Sequence, residues 1–599
     1  GKGAFYANTT GNENNAFGFQ ALYSNTTGST NTALGRNTLY TNTTGSQSVA
    51  VGNNSLYNNT TGSNNTAVGY LALTANTTSS NNTAVGYLSL HANTTGTENT
   101  GVGYNSLGAI TTGNYNTAFG KGSLASDTLG SQSVAIGANA LQSQNFTSAT
   151  STYNTAVGYY AGQSVTTGTG NTLIGGLAGD ALVSSADNVA VGYLSLSTET
   201  GGQNNVAVGR SALENQVNSS GNIYNTAVGA KAGRAVTTGT NNTTLGASSL
   251  HSGTTASYNT ALGKNSMYGT TTGSASVGIG LEALYYNTTG GDNVAVGASA
   301  LFSCSSGYYN VALGRQALQN NTTADYNTAV GYRAGYTQTT GHTNTNVGVK
   351  AGYGTTTGID NTYIGPYAGI YMTTGSKNVI IGRHSGNFGG LDIRTSSNNI
   401  VLSDGDGNPV GYRKGADGNW YLDNVNNNEY TLRVRSTGTG GNPYGITMQY
   451  PNNAPNNDSG RFITCQDSSA IRLKVFNNGN VQNQNNSYGS LSDQKLKENI
   501  VDSGSQWDDI KALTVRKYSL KEDNLDAPNM LGVIAQEVEA AGMSGLVTES
   551  IDQDLNNNDL DTVTKAVNYS ILYMKAVKAL QEAMTRIETL ETKVTALEG

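Results

Sequence analysis

The sequence predicts an all-β chain: a β-solenoid or β-roll with a 17-residue repeat, then a small β domain, then an α+β module ending in a long helix. Three observations carry this. A marker glycine recurs at constant spacing from Gly18 to Gly382. The composition is rich in Gly (78) and poor in Pro (6), with only 12% charged residues. From residue 492 onward the chain changes abruptly to charged helix formers. A length of 599 residues exceeds what one hydrophobic core organises, which leaves several domains or one repeat array, and the marker decides for the array.

The marker is the Gly of Asn-Thr-Ala-Val-Gly and its variants. It occurs 22 times, and 19 of the 21 intervals are 17 residues. The exceptions, Gly137 to Gly158 and Gly209 to Gly229, absorb insertions of four and three. The residue before each marker is Val, Ile, Leu or Phe, from Phe17 through Val68 to Ile381, and is expected to point into a core. Four residues after the marker stands a second apolar residue, such as Leu22, Leu39, Leu56 or Leu73, replaced by Gly at Gly335, Gly352, Gly369 and Gly386. Turns of the kind Asn42 to Gly45 lie between, so each unit reads as strand, turn, strand, turn. Seventeen residues cannot bury a core alone, whereas stacked coils share one. At ~4.8 Å per coil, 22 coils give a rod of roughly 105 Å.

Along each strand Ala alternates with the large apolar residue, as in Ala67 beside Val68, so the two faces differ in volume. The small Ala face is expected to let neighbouring chains approach closely. Runs such as Gln47-Ser48-Val49-Ala50-Val51-Gly52 resemble the head repeats of trimeric autotransporter adhesins and the repeats of bacteriophage tail fibres. That resemblance implies a parallel homotrimer.

Composition excludes several function classes. The net charge of −7 sits almost wholly in residues 492–599, which hold 11 Lys+Arg against 19 Asp+Glu, while the residues before them hold 20 and 19. This balance argues against nucleic acid or an anionic membrane as partner. Cys304 and Cys465 are too isolated for a disulfide framework or a metal site and read as free thiols. No apolar run approaches the ~20 residues that cross a bilayer, so membrane insertion is not expected.

No phosphate-binding loop, dinucleotide fingerprint or paired zinc-protease His appears, and no metal or cofactor is expected. Asp404-Gly405-Asp406-Gly407-Asn408 and Asp552-Gln553-Asp554 lack the Glu that closes a calcium loop and read as polar turns. Asp180 and Glu214 share a register two coils apart, which places them roughly 9–10 Å from each other, at the upper limit for an inverting glycosidase. Tyr70, Tyr87 and Tyr104 share one register, and Tyr23, Tyr40 and Tyr57 another. Such ladders either stack to cover the solenoid or offer flat faces to sugars.

The shaft is placed at 1–402 and a β-rich tip domain at 403–491, where turns alternate with strand-like segments such as Tyr430 to Val434 and Ala470 to Val475. Its aromatic residues Trp420, Tyr421, Tyr444 and Tyr450 are candidate receptor contacts. The last module, 492–599, ends in a helix from about Asn568 to Leu597. There Tyr573, Val577, Leu580, Met584, Ile587, Leu590, Val594 and Leu597 trace a coiled-coil seam with one local slip.

Ser492-Asp493-Gln494-Lys495-Leu496-Lys497-Glu498-Asn499-Ile500, followed by Gly532-Val533-Ile534-Ala535-Gln536-Glu537-Val538 and a closing helix, resembles the endosialidase-type intramolecular chaperone that ends many phage tailspikes and tail fibres. The resemblance covers essentially all of 492–599, with Lys495 where the family often has Arg. It implies a domain that trimerises the fibre through a coiled coil at about 568–598, guides its folding and then cuts itself off between Leu491 and Ser492, with Ser492 and Lys497 catalytic. Ser492 Oγ would attack the Leu491 carbonyl through an ester, and Lys497 would serve as base once burial lowers its pKa from ~10.4 by several units. Residues five apart are not neighbours on one helix, so the pair needs a helix break or a contact between chains.

The expected function is therefore a homotrimeric phage tail fibre of the virion, extracellular, binding a host cell-surface glycan or outer-membrane receptor. It would join other tail proteins through an N-terminal segment outside this sequence. The alternatives are a glycan-degrading tailspike and a bacterial trimeric surface adhesin; the latter should end in membrane-spanning strands, which this charged C-terminus does not provide.

Overall fold

The structure is a computed structural model that describes residues 1–415, 418, 420–422, 461–466, 471–476, 481–483, 498–519, 530–553 and 559–599. The chain divides into two compact units, Gly1–Arg433 and Val434–Gly599.

The first unit is the predicted β-solenoid. Twenty-three parallel three- to four-residue strands, one per coil, stack in register from Asn15–Phe17 to Ile400–Ser403. Two antiparallel strands, Pro409–Arg413 and Trp420–Leu422, then close the stack. Equivalent residues pair directly, as in Thr66↔Thr83, Ala67↔Ala84 and Val68↔Val85, so the sequence period is also the hydrogen-bonding period.

The marker glycine fixes that period sterically. Gly69 has φ +143°, and a Cβ placed on it would lie 2.3 Å from the carbonyl oxygen of Gly86 in the next coil. No side chain fits between the coils at that point. The second expected strand is absent. After each marker the backbone alternates through the left-handed region, as at Gln20 (φ 58°) and Leu22 (φ 51°), and forms a zigzag of turns. These turns still bond coil to coil, with the Leu22 amide donating to the Thr38 carbonyl at 3.0 Å.

Burial reverses the expected faces. The strand-centre alanines, including Ala33, Ala67, Ala84 and Ala118, are buried inside their own coil and cannot mediate an approach of neighbouring chains. The residue before the marker points outward instead: Phe17 is 75% exposed, Leu245 47% and Ile381 44%. The narrow interior accepts Ala from the strand and Leu from the turn, and the larger strand residue has no room there.

A size exchange within the chain shows how tightly this interior is filled. Leu173 replaces the usual strand Ala, and Gly162 and Gly179 replace the turn Leu on either side; a Cβ on either glycine would lie 2.6 or 2.8 Å from a Leu173 methyl. Tyr363 stands likewise between Gly352 and Gly369 and is fully buried.

Two buried amide ladders satisfy the polar groups of each turn. Before the strand, Asn31 donates from Nδ2 to the Gly45 carbonyl at 2.9 Å, and its Oδ1 accepts the Ser48 amide at 3.0 Å. After the turn zigzag, Asn42 donates to Asn25 Oδ1 at 2.8 Å and to the Gly45 carbonyl at 2.9 Å. The second ladder carries an acid at two coils, each followed one coil later by Gln and then by one of the two insertions. Asp127 accepts the Gly130 amide at 3.0 Å and Gln144 Nε2 at 2.7 Å, and burial pushes its carboxyl above the usual range. Glu199 Oε1 accepts the amides of Thr200, Gly201, Gly202 and Asn218 at 2.8–3.1 Å, while Oε2 accepts Gln216 Nε2 at 2.8 Å and Asn218 Nδ2 at 3.2 Å.

The second unit holds an antiparallel sheet of Arg461–Gln466, Ile471–Phe476 and Val481–Asn483. It also holds helix α1 (Trp507–Ala512), the pair Arg516–Tyr518 with Met530–Gly532, helix α2 (Ala535–Ala540), the hairpin Val547–Gln553 with Asp559–Val567, and the expected long helix α3 (Tyr569–Glu598). Val538, Met543, Leu546 and Leu572 form its core. Asn568 precedes α3 directly, where the sequence places the start of the helix.

Two stability predictions follow from the coil interior. Every group facing the Glu199 carboxylate is a donor, so Glu199→Gln sets a donor against donors and should cost about 1–3 kcal/mol, read as a lower thermal midpoint. Tyr363→Ala should cost about 3–5 kcal/mol, and adding Gly369→Leu, whose Cβ would meet chiefly the Tyr363 ring, should recover part of that loss.

Candidate functional site

Leu491, Ser492 and Lys497, the proposed junction and its chemistry, lie outside the described residues. From Glu498 to Ser505 the chain is exposed, with Val501 85% so. It then enters α1, which is fastened along α3 by polar contacts. Lys575 Nζ reaches Asp509 Oδ2 at 2.6 Å and Gln506 Oε1 at 2.5 Å. Glu582 accepts the Ser505 hydroxyl at 2.7 Å and the Gln506 amide at 3.1 Å, and the Arg586 guanidinium sits 4.5 Å over the Trp507 ring. These contacts fix the segment just after the proposed junction against the helix carrying the candidate seam.

The Gly532–Val538 motif is the packing centre of this module. A Cβ on Gly532 would lie 2.6 Å from Tyr569 Oη, and the neighbouring Val533 amide donates to the same oxygen at 3.1 Å. Ala535 and Val538 face the core, and Glu537 takes a bidentate contact from Arg516, the shortest at 2.8 Å. Lys565 bridges Glu539 at 2.8 Å and Glu549 at 2.7 Å, tying α2 to the hairpin. Tyr569 is the residue that sequence reasoning missed. Its position one residue after Asn568, at the start of α3, was the available signal.

Among the described residues the seam of α3 is left open: Tyr573 is 62% exposed, and Val577, Leu580, Met584, Ile587, Leu590, Val594 and Leu597 are likewise exposed. A groove of about 290 Å³, lined by residues including Ile510, Leu531, Val533, Tyr569 and Leu572, opens beside its first turns.

Elsewhere the candidate residues scatter. Trp420 is exposed, whereas Tyr421 stacks on Tyr412 at 4.8 Å with Lys414 Nζ 5.7 Å from its ring. Tyr444 and Tyr450 lie outside the described residues. Glu214 is held by Arg234 at 2.8 Å, and burial raises the Asp180 carboxyl. The Asp404 carboxylate is turned onto the amides of Asp406, Gly407 and Asn408 at 2.8–3.0 Å, the geometry of a polar turn. Among the described residues no group of three or more His, Cys, Asp or Glu could hold a metal ion, and no helix is long and apolar enough to cross a membrane. Cys304 is a buried free thiol pushed up to about 11 by burial. The tyrosine registers form stacks, with ring centroids 5.1 Å apart from Tyr23 to Tyr57 and 5.3–5.4 Å from Tyr70 to Tyr104.

The family model described as chaperone of endosialidase matches residues 492–548, from the proposed junction through α1 and α2 to the start of the last hairpin. No curated protein and no solved structure matches the chain. The matched segment, similar to the chaperone of endosialidase, follows a long β-solenoid, an order that suggests a tailspike- or fibre-type protein.

Gly532→Ala should displace Tyr569 and unfasten α3 from the module. The expected result is a loss of about 1–3 kcal/mol in the C-terminal unfolding transition with the solenoid transition unchanged.

Proposed function

We propose that the chain is a homotrimeric phage tail fibre that binds a host cell-surface receptor, with a C-terminal chaperone that drives its trimerisation and then releases itself. The observation that carries this reading is the chaperone match beginning at Ser492, downstream of the 23-coil rod. Two apolar surfaces that nothing among the described residues covers support the trimer. One is the outward row of Val, Ile, Leu and Phe along the solenoid, far longer than the apolar patches monomers usually expose. The other is the α3 seam, with the spacing of a coiled coil.

Release is proposed at Leu491–Ser492. Ser492 Oγ gives its proton to Lys497 and bonds the Leu491 carbonyl carbon. The C–N bond then breaks, the Ser492 nitrogen takes up the proton, and an ester joins the two parts. Water hydrolyses the ester, leaving a Leu491 carboxylate and a free Ser492 amine. Lys497 performs the first step only where burial keeps it neutral, and assembly of three chains would supply that burial. The fibre then acts outside the cell as part of the virion, with Trp420, Tyr421, Tyr444 and Tyr450 as proposed receptor contacts.

Freshly expressed protein should run as two fragments, 1–491 and 492–599. Ser492→Ala and Lys497→Ala should each stay full length while still forming trimers by light scattering. Normal cutting in either variant would refute the assignment.

A further inference from the structure

The last coils of the solenoid carry a cation and aromatic track that the fibre reading leaves unused. Arg315, Arg333, Lys350 and Arg383 stand in the two registers just after the marker glycine. Tyrosines interleave with them. The Arg333 guanidinium lies 5.1 Å from the Tyr332 ring and 5.2 Å from Tyr336; Lys350 Nζ lies 5.9 Å from both Tyr353 and Tyr367; Arg383 lies 5.4 Å from Tyr367. Tyr336 and Tyr353 stack at 5.0 Å, so rings and charges form one continuous surface.

Among the described residues none of these four cations is in an ion pair. Arg333 Nε donates to Gln316 Oε1 at 2.7 Å, and Arg383 donates to the Gly405 carbonyl at 3.4 Å, both neutral acceptors. From Arg315 to Tyr367 the same registers hold no Asp or Glu; Asp325 and Asp360 of these coils sit in the turns. Earlier in the rod, Arg234 is neutralised by Glu214. The geometry is also costly to keep. Arg333 and Lys350 both have φ 54°, in the left-handed region, where the equivalent residue of other coils is often Asn, as at Asn37, Asn54, Asn105, Asn139 and Asn265.

We propose that this track binds an acidic polysaccharide, with a carboxylate-bearing sugar chain lying along the rod axis. Coils repeat every ~4.8 Å, so an extended chain meets a cation or a ring at nearly every coil. The edges and hydroxyls of the stacked tyrosines border the sugar chain, and the cations hold its carboxylates. This rests on the reading of the chain as a surface-binding fibre and names the ligand class for one part of its side.

The test uses the full chain and immobilised polygalacturonate, with neutral dextran and duplex DNA as comparisons. Binding to polygalacturonate should be absent on dextran and weaken as salt rises. Arg333→Asn with Lys350→Asn should weaken it about tenfold while the thermal midpoint holds or rises, since Asn suits that backbone. Arg333→Lys with Lys350→Arg should retain binding. No binding to polygalacturonate, binding indifferent to the Asn pair, or equal or tighter binding to DNA would overturn the proposal. A chain that trimerises and cleaves normally yet ignores polygalacturonate would overturn this inference and leave the fibre reading standing.

Discussion

A backbone contact that admits no side chain governs the solenoid. Because each marker glycine lies against the carbonyl of the next, every coil must return to the same point, and the two longer coils, Gly137 to Gly158 and Gly209 to Gly229, keep that contact as the 17-residue coils do. Three residues of strand per coil then suffice, since equivalent residues always meet. The buried amide ladders are a second consequence. An Asn side chain bonds its own turn and the identical Asn one coil away, so its amide dipole is satisfied only while the repeat is kept. Where the repeat is broken by an insertion, the preceding coil places an acceptor-only carboxylate on the ladder, at Asp127 and Glu199, and the displaced amides converge on it.

The period and the turn chemistry were legible because they recur at fixed intervals. Which face of the strand points inward was not. Alternation separates Ala67 from Val68 without saying which is enclosed, and the usual rule that the larger residue is buried fails in a coil this narrow. The sequence does contain the deciding signal. Leu173 and Tyr363 replace the strand Ala where the turn Leu becomes Gly, a volume exchange that only residues sharing one enclosed space require. The second strand was misread for a related reason. Leu22 and its equivalents have the hydrophobicity of a strand, but they sit at positive φ, which Leu seldom adopts and composition does not reveal.

The C-terminal module was legible through a motif, and the structure explains part of that motif physically: Gly532 makes room for Tyr569, and Ala535 and Val538 fill the core. The Ser492–Lys497 chemistry is a matter of environment, which residue identity alone does not supply. Among the described residues nothing covers the outward apolar row of the solenoid or the seam of α3, and each runs the length of its element.

Native mass spectrometry of the mature assembly tests this most directly. A self-releasing trimer gives the mass of three copies of residues 1–491 with no residues 492–599 attached. A single chain, or three chains still carrying their C-terminal modules after prolonged incubation, would contradict it.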